Sequence, residues 1–414
     1  MMRSGSGYGG PAGAARQFYL RNRILLLSIV LSVLGGVTGV AAASAVLSGA
    51  SLRDAALICA GAALAAAISL LHTRHLALAV LTAAAPLPGL AWAVPLSVDA
   101  RFGTIPMLAY AFAYAVAVML AQDVIVRTLD GGETENYVRP ATVGVGAAAA
   151  LALLWFWRSA AGAGAFQAVS DVALAGTSVL LLVPAGASFL HFDEIFVARA
   201  NRARECRLRF LEKIAMTAVP RWGMSIAGIA LIFVALAWFA VQPALAYFPN
   251  AEAITAASIG VLFALAFFAC GGWREGLAAT IVSVLVCMIA LWAFAVVIRT
   301  APQAHTGLLE LAALVLFLVS CVFRRAQTHR RLGDDPAIAR LRAVEDLGGA
   351  QFFAILGGGA ALLPAAFFRS GVAAYVIALA FAVVAVIGFA PAVVTAAELL
   401  LPRRRSLEEL YGRR

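Results

Sequence analysis

Long apolar runs constrain this chain more than any other feature. They fall near residues 24–47, 55–71, 76–98, 104–122, 140–157 and 166–190, then again at 224–246, 254–270, 276–298, 306–323, 350–368 and 372–400. Each is close to the roughly 20 residues that carry an α-helix across a bilayer. An open strand edge is not tolerated in lipid, and no run alternates with the ten-residue period of a barrel, so the runs are expected to be helices. The expected fold is an all-α polytopic membrane protein with about twelve transmembrane helices. Composition agrees: 63% of the 414 residues are hydrophobic and 13% charged, against about 25% charged in a soluble domain. No room remains for a sizeable soluble catalytic domain.

The balance of 31 Lys+Arg against 21 Asp+Glu would suggest a nucleic-acid partner if the cations formed a patch. They do not. In a twelve-span layout 26 of them fall on one side, and only Arg53, Arg101, Arg158, Arg299 and Arg369 on the other. By the positive-inside rule both termini are expected to be cytoplasmic, in the inner (cytoplasmic) membrane, with lipids rather than nucleic acid as partners. Cys59, Cys206, Cys270, Cys287 and Cys321 form no CxxC pair and have no His at ligand spacing, so neither a disulfide framework nor a metal site is expected. No nucleophile-base pair, His cluster or phosphate-binding glycine loop stands out, so neither a cofactor nor enzyme chemistry is expected.

The two halves carry landmarks at an offset near 200. Arg21 matches Arg221, Arg74 matches Arg274, and Trp92-Ala93 matches Trp292-Ala293. VIVR (124–127) pairs with CVFR (321–324), FWRS (156–159) with FFRS (367–370), and Pro184-Ala185 with Pro391-Ala392. The ordered series implies two parallel six-helix repeats, at 16–190 and 224–402. They are flanked by a disordered lead (1–15) and a basic cytoplasmic tail (403–414), and joined by an Arg-rich amphipathic linker (191–223). Arg21, Arg23 and the AAASA at 41–45 mimic a signal peptide, but the repeat gives that segment a counterpart in mid-chain.

Several of these features resemble the resistance-nodulation-division superfamily, in its branch of large lipid exporters (MMPL-like). They are PLPGLAW (86–92), the Arg-rich segment 324–350, VPAGA and APAVV late in each half, and the closing LLLPRRR. The major-facilitator signature between helices 2 and 3 is poorly matched by LLHTRHLAL and CGGWREGLA. The resemblance implies proton-driven movement of a lipophilic molecule or lipid. Two departures stand against it. The connections at 48–55 and 247–253 are too short for the family's extracytoplasmic domains, and MLAYAFAYAVAVML holds Tyr110 and Tyr114 where the family has acidic residues.

Few ionisable residues lie within the runs. Glu310, one to two turns inside its span, has the profile of a proton or cation site; alternatively it reaches water at the helix end. At the 200-residue offset it aligns with Tyr110, an acid opposite a hydroxyl. Asp171 opens the run 166–190, where it can serve transport or pair with Arg158 or Arg369. Those two arginines occupy equivalent outer turns and can hold lipid phosphates or act as anchors. Gly35, Gly39, Gly144, Gly146 and Gly357 to Gly359 offer small surfaces for close helix approach. The expected function is a transporter or exporter; the alternatives are a non-transporting membrane subunit or lipid-sensing accessory protein, or a facilitator-like carrier. A membrane partner subunit or a homo-oligomer fits either class.

Overall fold

The structure, a computed structural model, describes residues 11–46, 49–96, 104–129, 144–145, 164–190, 263–298, 307–390 and 394. Arg158, the linker 191–223, the run 224–246 and the tail 403–414 lie outside the described residues, as do most of 140–157 and the first half of 254–270. Among the described residues there is no strand, and seven helices are long and apolar enough to cross a membrane. The chain is an all-helical, membrane-embedded protein. It divides into two compact units, Met1–Arg202 and Ala203–Arg414.

Unit one contains α1 (Pro11–Val46), α2 (Gly49–Thr73), α3 (Leu76–Ala84), α4 (Leu87–Leu96), α5 (Thr104–Leu129) and α6 (Gly164–Ala187). Helix α1 starts at a proline, whose fixed φ and missing N–H suit a first helical position. Along it Leu26, Leu27, Val30, Val33, Leu34, Val37 and Val40 are exposed, an apolar face that fits lipid and not water. Its other face packs on α4 and α6. Gly35 and Gly39 lie against Trp92, and Gly36 lies against Pro88. Their lack of a side chain lets the α1 and α4 backbones approach.

The run 76–98, read from sequence as one span, is two helices. Pro86 lacks an N–H, as does Pro88, so the i→i−4 ladder is interrupted and α3 gives way to α4. Above the break Gly89 meets the Leu174 carbonyl of α6 so closely that a Cβ has no space.

Unit two contains a helical segment at 263–270, α7 (Trp273–Trp292), α8 (Leu308–Arg331), α9 (Pro336–Ala366) and α10 (Ser370–Val384). Two π-helical segments, Ala293–Ile298 and Ala385–Phe389, continue α7 and α10. Most of the Arg-rich segment 324–350 is helix: α8 runs on to Arg331 and α9 begins at Pro336. The reversal needs only Leu332 to Asp335, with Gly333 at φ +101, a conformation open to glycine. A methyl group added at Gly359 would meet nothing within 4 Å, so this glycine does not mark a close helix approach.

Gly89→Ala is expected to lower the thermal midpoint of detergent-solubilised protein, because the added methyl meets backbone that cannot rotate away. Gly359→Ala is expected to leave the midpoint unchanged or raise it by the equivalent of up to about 1 kcal/mol. Equal midpoints for the two variants would refute the close α4–α6 approach.

Candidate functional site

In unit one the polar chemistry gathers around the helix break. A carbonyl freed inside a membrane segment must find a donor within the protein. Tyr110 on α5 donates its hydroxyl to the Ala83 carbonyl at 2.8 Å, and Ser178 on α6 donates to the Ala85 carbonyl at 2.6 Å. One turn along α5, Tyr114 donates to the Ala65 carbonyl of α2 at 3.2 Å, with Ser69 Oγ 2.8 Å from the same phenol oxygen. The two tyrosine rings stack with centroids 6.3 Å apart, and both residues are fully buried. Both hydroxyls are therefore engaged in holding backbone. Asp171 is also buried, one turn before the Leu174 carbonyl that abuts Gly89.

Unit two is different. Glu310 stands in the first turn of α8 and is 1% exposed. Neither carboxyl oxygen has a hydrogen-bond partner among the described residues. What favours its charged form comes from the start of α8 itself, the residue's own backbone N–H and the positive end of the helix dipole. Ser283 Oγ and Gln351 Oε1 are likewise buried without a partner among the described residues. The Gln351 amide nitrogen, by contrast, donates to the Leu318 carbonyl at 2.7 Å.

At the far end of α8 lies an ionic cluster whose pairings the sequence did not disclose. Arg324 donates to the carbonyls of Phe268 and Ala269 at 2.7 and 2.6 Å, and Gln327 donates to that of Cys270 at 2.6 Å. These three donors satisfy the last carbonyls of the segment 263–270. Asp346 of α9 accepts from Arg325 at 2.7 Å and lies 3.0 Å from His329 Nε2. Asp334 receives Arg342 at 2.7 Å and faces His329 Nδ1 at 3.6 Å. Glu275, in the first turn of α7, pairs with Arg330 at 3.4 Å. Side chains from three helices thus lock one end of unit two.

Of the residues singled out from sequence, Tyr110, Tyr114 and Asp171 belong to unit one, while Glu310 and Arg369 belong to unit two. Arg369 is partly exposed and forms the N-cap position of α10. Ser178, Ser283 and Gln351 were missed. Their only signal was a polar letter inside an apolar run, as in TIVSVLV. Among the described residues no group of His, Cys, Asp and Glu has the arrangement of a metal site.

Tyr110→Phe is expected to destabilise the protein by about 1 kcal/mol in a mixed-micelle denaturation, since it orphans a buried carbonyl. Tyr114→Phe should do less, its bond to Ala65 being longer. The reverse order would show that Tyr110 does not hold the break. Comparison with family models and with curated proteins returned no match, so the function is argued from the chemistry of these sites.

Proposed function

We propose that the chain is a secondary transporter of the inner membrane that moves a lipophilic molecule or lipid, driven by the proton gradient, with Glu310 as its coupling carboxyl. The observation that carries this reading is the complete burial of that carboxyl, within a span, without a partner among the described residues. A charged carboxylate so placed is costly, whereas a neutral one is tolerated. Such a group holds a proton while sealed and gives it up when the surrounding helices open to water. A second feature supports movement: α3 and α4 form a discontinuous helix, the kind of element around which transporters build their paths.

The reading takes the chain as twelve helices in two parallel six-helix repeats with cytoplasmic termini, on the strength of the landmarks near offset 200 and the charge asymmetry. It draws its substrate class from the resemblance to resistance-nodulation-division exporters. Arg158 and Arg369 would hold lipid headgroups at the outer leaflet. One observation favours a second reading, that of a non-transporting subunit or lipid-sensing accessory protein. The hydroxyls of Tyr110 and Tyr114 are both engaged by backbone, so these two residues, which stand where the resembled family carries acids, are not free to couple.

Proteoliposomes with a trapped pH-sensitive dye, placed under an imposed membrane potential, separate the two. Proton uptake is expected in the wild type and should fall about a hundredfold in Glu310→Gln, as for loss of a positioned proton-transfer group. Uptake no greater than in empty vesicles would leave the accessory role standing, and uptake above that level but unchanged by Glu310→Gln would remove Glu310 as the coupling carboxyl.

A further inference from the structure

Among the described residues, Glu310, Ser283 and Gln351 each hold a buried polar atom without a partner, and they fall in order along the register of α7, α8 and α9. Contacts fix the register. Helix α7 runs antiparallel to α8: the Cys287 thiol meets the Leu308 carbonyl at 3.6 Å near one end, and Glu275 meets Arg330 near the other. Helix α9 is also antiparallel to α8, with Gln351 at the level of Leu318 and Asp346 at that of Arg325 and His329. Ser283 is one turn from Cys287, on the face of α7 that meets α8. At 1.5 Å per residue it falls about 6 Å further in, between the levels of Glu310 and Leu318. Glu310 and Leu318 are themselves about 12 Å apart along α8. From Gln351 to Asp346 along α9 is about a further 7.5 Å.

A hydrocarbon-facing seam has no reason to carry such groups, because each unsatisfied polar atom there is unfavourable. Buried polar groups without protein partners are the sites that ordered water satisfies. We propose that the α7–α8–α9 seam admits a file of water, hydrogen-bonded to Ser283 and to the Gln351 carbonyl, that carries protons between Glu310 and the His329–Asp346 pair. The seam thereby gives Glu310 its route to one aqueous side, and the ionic cluster forms the mouth of that route. At the mouth Arg325, Arg330, Arg342, Asp334 and Glu275 are each held in an ion pair, and Arg324 is held by the Phe268 and Ala269 carbonyls. This inference rests on the coupling role of Glu310 argued above.

The test is time-resolved infrared detection of the protonated-carboxyl stretch in proteoliposomes after a pH jump. The band is assigned to Glu310 by its disappearance in Glu310→Gln. Ser283→Ala and Gln351→Leu are expected to slow its response about a hundredfold. Ser283→Thr, which keeps the hydroxyl, should respond at the wild-type rate, and that rescue separates a relay from a packing defect. A Glu310 band responding equally fast in Ser283→Ala and Gln351→Leu would overturn the water file while leaving the coupling role intact. Absence of any responding Glu310 band would overturn both.

Discussion

Hydrocarbon supplies no hydrogen bonds, and this one condition governs where polar side chains occur in the protein. Where Pro86 and Pro88 interrupt the helical ladder, the Ala83 and Ala85 carbonyls are met by Tyr110 and Ser178, hydroxyls brought in by two other helices. The break therefore fixes how α3, α4, α5 and α6 sit together in unit one. Small residues complete the arrangement, with Gly39 and Gly89 allowing α4 to lie close to α1 on one side and α6 on the other. Serines and threonines elsewhere in the spans, such as Ser28, Ser32 and Thr82, turn their hydroxyls back to the carbonyl four residues earlier.

The same condition makes unit two informative by contrast. The C-terminal end of α8 is a closed electrostatic arrangement in which Asp346 serves Arg325 and His329 together, and Arg324 covers backbone carbonyls. Its apolar stretch, however, retains a carboxyl, a hydroxyl and an amide oxygen without partners among the described residues. In unit one the tyrosine hydroxyls stabilise the fold. In unit two the polar groups without partners among the described residues make no such contribution.

Helical class and membrane embedding were legible in the sequence because both depend on composition and run length alone. The division of the run 76–98 was signalled by PLP at 86–88 but was masked by continuous hydropathy around it. Glu310 was conspicuous as an isolated acid in HTGLLELAALVLFLVS, yet only packing shows that it is buried. The arginines of 324–349 announced a charged segment. The partners of Arg324 and Arg330 stayed hidden because Glu275, Phe268 and Ala269 lie more than 50 positions away and two of the three contribute only backbone. For the same reason the role of Tyr110 could not be read: its acceptor is a carbonyl, which every residue carries.

The π-helical segments Ala293–Ile298 and Ala385–Phe389 each place an additional residue in a turn of an otherwise α-helical path. One residue corresponds to about 100° of helical phase. Within the first of them Phe294 meets Tyr375 edge to face, ring centroids 5.4 Å apart. Deleting a single residue from either segment is consequently a rotation more than a shortening. It would leave a regular helical ladder behind and re-aim every side chain beyond it.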